Sequence, residues 1–176
     1  MRFAYYDRLS ATRKKIYRQS ERIVTLGVPP RLELGATVLC IESALAADDR
    51  SAVQAACQTL IDALTAGYRV PAVRVRILAR RPADGSGELH GLYEPGEGRA
   101  QARITAWMRT AQREQVVAFK TFLRTVIHEL CHHLDYELFA LEETFHTEGF
   151  YKRESSLVAA LLAQRQGEVD AAPPRA

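Results

Sequence analysis

Hydrophobic positions along this chain repeat with two different periods. Leu9, Ile16 and Ile23 recur at seven-residue spacing, so residues 9–24 are predicted to form an amphipathic helix. Ser10 is placed to cap its start, and Gly27 with Pro29 and Pro30 stops it. A second helix is predicted over residues 35–47 and a third over 51–66, with Asp48 and Asp49 between them. In the third, Val53, Ala56, Cys57, Leu60, Ile61 and Leu64 keep helical spacing, and Gly67 closes the run.

After Pro71 the period shortens to two. Val73, Val75 and Ile77 alternate with Arg74 and Arg76, as in a half-buried strand. Residues 82–87 read as a turn, 88–93 as a second strand, 95–98 as another turn and 102–108 as a third strand. Turns this short favour an antiparallel meander. Helical spacing returns over residues 115–138, where Val116, Phe119, Leu123, Val126, Ile127, Leu130 and Leu134 form one apolar face. A last helix is predicted over 148–164, followed by a frayed tail from Asp170 to Ala176. No internal repeat is present. The expected class is α+β: N-terminal helices, a small three-stranded antiparallel meander on a long helix, and a C-terminal helix.

Composition narrows the class. The chain has 176 residues, 47% hydrophobic and 26% charged, which suits one soluble globular domain rather than a disordered or fibrous one. The expected organisation is a helical region over 1–70 packed on a core over 71–165, with a flexible tail over 166–176. Cys40, Cys57 and Cys131 are scattered, which argues against a zinc ribbon and a disulfide framework. No apolar run reaches the ~20 residues of a membrane span, and the N-terminus lacks a signal-peptide core. A cytoplasmic protein without membrane association is expected. The net charge of +3 does not by itself imply nucleic acid, but Arg2, Arg8, Arg13, Lys14, Lys15, Arg18 and Arg22 crowd the N-terminus.

The chemistry concentrates in His128-Glu129-Leu130-Cys131-His132, with His146 downstream. Residues four apart on a helix share a face, so His128 and His132 can offer two imidazole nitrogens to one ion. Glu129 lies where it can hold a metal-bound water and take its proton. This H-E-x-x-H pattern points to zinc. His146 is the favoured third ligand, because neutral imidazole suits zinc and a helix start fixes its direction; Glu148 and Glu154 are the alternatives. Asp135 and Leu138 stand where a metzincin would carry its glycine and last histidine, which argues against that class.

His128-Glu129-x-x-His132 followed by His146-Thr147-Glu148-Gly149-Phe150 resembles the SprT-like zinc metallopeptidases, with their H-E-x-x-H and later H-x-x-x-F segment. The resemblance covers about residues 73–161. It implies a zincin-like core over 71–165, His128, His132 and His146 as Zn2+ ligands, Glu129 as catalytic acid/base, and hydrolysis of peptide bonds. The helical first 70 residues match nothing in that family, and its cysteine-rich zinc-binding tail is absent.

Around the motif, Tyr151 and Arg153 are candidate oxyanion stabilisers. Asp135 and Glu142 are candidates to orient a ligand histidine, against the commoner outcome that such acids face solvent. His133 points about 100° away from His132 and is expected at the surface or behind the ligands. Cys131 is expected to pack, and His90 has no clear partner. A peptide substrate would add as a strand along residues 102–107. The rival readings are a non-catalytic zinc-binding protein, or a nucleic-acid binder acting through the basic N-terminal helix with Tyr5, Tyr6 and Tyr17 nearby for stacking.

Overall fold

The alternation of Val73, Val75 and Ile77 does produce a half-buried strand, with these residues at most 3% exposed, but its pairing differs from a meander. The computed structural model of the chain describes residues 3–84, 87–98 and 100–171. Arg2 of the basic cluster, part of the 82–87 turn and the tail beyond 171 lie outside the described residues. Strand β1 (Arg74–Arg80) runs parallel to β5 (Arg103–Arg109), with Arg74 opposite Arg103 and Ile77 opposite Ala106. Between them in sequence come the two-residue strands β2 (Ala83–Asp84) and β3 (Gly87–Glu88), which pair with each other, and β4 (Gly91–Glu94). Strand β4 is antiparallel to β5, placing Gly91 opposite Ala106 and Tyr93 opposite Ile104.

The three-stranded sheet is therefore mixed, in the order β1-β5-β4. This corrects two expectations at once. The sheet is not an antiparallel meander, and residues 102–107 are not an edge. They belong to the central strand, where Ile104, Thr105, Ala106, Trp107 and Met108 are all buried. A strand covered on both faces reads as a continuous run rather than an alternation.

Three helices precede the sheet: α1 (Ala11–Arg22), α2 (Gly35–Ala46) and α3 (Arg50–Tyr68). Ser10 caps α1 by accepting from the Arg13 amide, and Asp49 caps α3 by accepting from Ala52. Helix α3 runs past Gly67 and ends at Arg69, which takes the left-handed conformation. Gly67 is instead a contact point, since a Cβ there would lie 2.8 Å from Pro29. Helix α3 also closes the outer edge of β1. Gln54 donates to Val75 O and accepts from Ile77 N, while Gln58 donates to Val73 O and accepts from Val75 N, all at 2.6–2.9 Å. Two glutamines thus stand in for a fourth strand along the first half of β1, from Val73 to Ile77.

Helix α4 (Phe119–Glu137) begins later than residue 115, because Val116 still bridges to Arg109 and Glu114 has positive φ. Helix α5 (Glu148–Ala171) runs beyond its expected end near 164. The main core joins Ile41, Leu60, Leu64, Ile77, Ile104, Leu123, Ile127, Leu130, Phe150 and Leu157, so all helices but α1 share one apolar interior with the sheet. A second small cluster holds Tyr6, Ile16, Tyr17, Leu141 and Phe145. It seats the N-terminal segment, with a 3-10 turn at Tyr6–Arg8, against the loop between α4 and α5. The buried face of α1 is Ile16, Tyr17 and Ser20 rather than a stripe of Leu9, Ile16 and Ile23. Among the described residues no helix is long and apolar enough to cross a membrane.

Candidate metal centre

Helix α4 places His128 and His132 one turn apart, facing a cleft of about 690 Å³ lined by β4, one face of α4 from Thr121 to Tyr136 and the start of α5. The third histidine comes from the loop before α5. Thr147 caps that helix by accepting from the Phe150 amide at 2.9 Å, which fixes the direction of His146 beside it. His146 Nε2 lies 3.0 Å from His128 Nε2 and 3.1 Å from His132 Nε2. Three ring nitrogens thus converge as one group able to hold a metal ion.

The second nitrogens settle which form these rings take. His128 Nδ1 lies 2.8 Å from Glu154 Oε2, a carboxylate only 2% exposed. His132 Nδ1 lies 2.7 Å from Thr144 Oγ1, and that hydroxyl gives its own proton to Asp135 Oδ2 at 2.8 Å. Both imidazoles therefore donate from Nδ1, and in the neutral form each keeps its lone pair on Nε2. Two such lone pairs facing His146 Nε2 at 3.0 and 3.1 Å are an arrangement that a ring proton or a cation completes. Burial, with the neighbouring His128, His146 and Arg153 opposing any added positive charge, pushes His132 down to about 3. His146 is lowered as well, first by burial and then by His128. Neutral imidazole is the ligating form, so the residues present fit a metal ion.

Several neighbours take places the sequence did not predict. Glu154, an alternative third ligand, instead bridges His128 and Arg124, whose Nη1 lies 2.6 Å from Oε1. Glu148 pairs with Lys152 at 2.7 Å. Arg153 is fully buried and cannot meet an oxyanion in the cleft. Its guanidinium donates to Ser20 O, Ile23 O and Ser20 Oγ, and lies 2.5 Å from Asp135 Oδ1. Tyr151 does line the cleft, its ring stacked 5.8 Å from that of His146. His133 is not at the surface. It is 1% exposed, held between the Tyr93 hydroxyl at Nδ1 and Pro71 O at Nε2. Cys131 is packed in the core, Asp135 is buried, and Glu142 is exposed. His90 is exposed at the cleft rim. Tyr6 and Tyr17, which the rival nucleic-acid reading would use for stacking, are 5% and 1% exposed and pack on protein instead.

One signal for Glu154 was present in the sequence. It shares a helical stripe with Phe150, Leu157 and Leu161, all fully buried, and an acid in an apolar stripe needs a partner. Thr144 had no comparable signal.

Glu129 stands apart from the ligand group. Its carboxyl is 6% exposed, takes a hydrogen bond from the Tyr93 amide, and fills the space a side chain on Gly91 would need. Burial pushes it up to about 7, against the lowering influence of His128 and that hydrogen bond. The metal-capable cluster contains three histidines and no carboxylate. On that finding the SprT-like family, the zincin label and a zinc metallopeptidase with Glu129 as general base are corrected to a histidine-only metal-binding cluster. No family model, no curated protein and no solved structure matches the chain.

Proposed function

We propose that this chain is a zinc-binding protein that holds one ion through His128, His132 and His146. The observation that carries the reading is the pair of Nε2 lone pairs, fixed by Glu154 and Thr144 and directed at His146. Three imidazoles suit zinc, although copper and nickel accept the same donors, so the metal offered must be controlled. Zinc with three protein ligands keeps a fourth position, and the cleft gives a small donor ligand room to reach the histidines. Tyr151, Tyr93, Leu92 and Tyr136 would line such a ligand's path.

The test is elemental analysis of purified protein beside His146→Ala. One zinc per chain, lost or sharply reduced in the variant, is expected. Zinc retained at full affinity without His146 would overturn the three-histidine assignment. A second reading, nucleic-acid binding by α1, has the exposed Arg8, Lys15, Arg18 and Arg22 in its favour. It predicts DNA binding that weakens steeply with salt and is lost when Lys15, Arg18 and Arg22 become Ala.

A further inference from the structure

His146 differs from the other two histidines in what holds it. His128 and His132 ride on a helix packed into the main core, while His146 sits on the segment between α4 and α5. That segment is braced from outside by the N-terminal arm, residues 3–22. The Tyr5 hydroxyl donates to His146 O at 3.0 Å. Arg13 Nε lies 2.7 Å from Glu143 Oε2, and its guanidinium sits 5.7 Å from the centre of the Phe145 ring. The Tyr17 ring lies 6.1 Å from that of Phe145. At the start of α5, Ser20 Oγ meets Thr147 Oγ1 at 3.2 Å, and Glu21 Oε2 accepts from the Gly149 amide at 3.2 Å. Gly149 allows that approach, because a Cβ there would lie 2.6 Å from the carbonyl oxygens of Ser20 and Glu21.

A second route reaches the opposite ligand. Arg153 takes Ser20 O and Ile23 O at the end of α1 and Asp135 on α4, and Asp135 orients Thr144 against His132. The arm thus touches the backbone of one ligand and, through the buried Arg153 and Asp135 and the half-buried Thr144, the ring of another.

We infer that docking of the N-terminal arm and binding of the metal ion are one coupled equilibrium, with Tyr5 and Arg13 as positioning residues for His146. This rests on the zinc-binding reading. Without a cation, the three rings are joined at Nε2 only by a proton on His146 shared at 3.0 and 3.1 Å, a far weaker tie than a metal ion, and the group free to relax is the one on the segment. Its displacement strains the contacts that hold the arm. An ion that pulls His146 into place restores them, and by linkage a docked arm tightens the ion to the same degree.

The experiment is hydrogen exchange of the full chain, read by mass spectrometry, with zinc chloride and with a chelator. Zinc affinities of wild type and of the Tyr5→Phe/Arg13→Ala variant are measured alongside. Zinc is expected to slow exchange across α1 by about tenfold. The double variant should lose that protection and bind zinc more weakly by a matching factor, while α4 keeps its slow exchange in chelator. Zinc bound through the histidines with unchanged exchange in α1 would overturn the coupling alone. Weaker zinc binding with α1 protection intact would also overturn it. No zinc binding by wild type would take down the metal reading and the coupling together.

Discussion

Glu154 holds His128 from behind. Its Oε2 lies 2.8 Å from Nδ1, its Oε1 takes Arg124, and the side chain is 2% exposed. A buried carboxylate in this position fixes the tautomer of the imidazole and makes its other nitrogen a better donor. The same device, built with a neutral group, recurs at His132, where Thr144 relays to Asp135.

Glu154→Gln keeps the shape and removes the charge. Zinc affinity should fall roughly 10–100-fold, as loss of such a partner behind a ligand does. Competition with a chromogenic chelator measures it. Wild-type affinity in the variant would mean that the carboxylate does not tune His128.

Acid should weaken the metal-free protein over a defined window. His132 is held near 3, and His146 and His133 are also lowered, in each case chiefly by burial. In the unfolded chain a histidine takes up its proton near 6.5. Below that pH the unfolded state binds more protons than the folded one, so stability falls as pH falls, for His132 until about 3. With chelator present, the urea midpoint should drop steadily from pH 7 to pH 4, and nitrogen NMR should show His132 neutral at pH 5. A protonated His132 at that pH would contradict its burial as the cause.

The clustering of three histidines was legible because it depends on local rules. Four-residue spacing on a helix puts His128 and His132 on one face, and a histidine just before a helix start has a restricted direction. Pairing in the sheet was not legible, because alternation at Val73, Val75 and Ile77 tells which face is buried and nothing about the neighbour. The clue was in the other strand: Ile104 to Met108 is buried throughout, as central strands are. His133 and Arg153 were misplaced for another reason. Their partners, Pro71 and Tyr93 for one and Ser20 and Asp135 for the other, are remote in sequence, so no window of the chain contains both halves of the interaction. The apolar stripe of the arm was placed on Leu9, Ile16 and Ile23 rather than on Ile16 and Tyr17 because its partners, Leu141 and Phe145, lie more than a hundred residues away.

Gly91 carries a steric prediction. A Cβ built there would lie 2.4 Å from Glu129 Oε1 and 2.8 Å from its Cγ, in a wall where the carboxyl is already packed. Gly91→Ala should therefore destabilise the protein by about 1–3 kcal/mol, the usual cost of overpacking. Chemical denaturation gives the value. A neutral outcome would show that the Glu129 side chain swings away freely, and that its buried position is not enforced by β4.

The last prediction concerns the closed edge of β1. Gln54 and Gln58 satisfy four backbone groups of the segment from Val73 to Ile77. Replacing both with alanine leaves those donors and acceptors without side-chain partners. Each net hydrogen bond is worth about 0.5–1.5 kcal/mol, so a loss of roughly 2–6 kcal/mol is expected. The bared edge is also a template for another strand, so the variant should self-associate as concentration rises. Light scattering beside urea denaturation separates the two effects. A variant that stays monomeric and loses less than about 1 kcal/mol would mean that water replaces the glutamines at no cost. The edge would then be protected by its arginines, Arg74 and Arg76, rather than by α3.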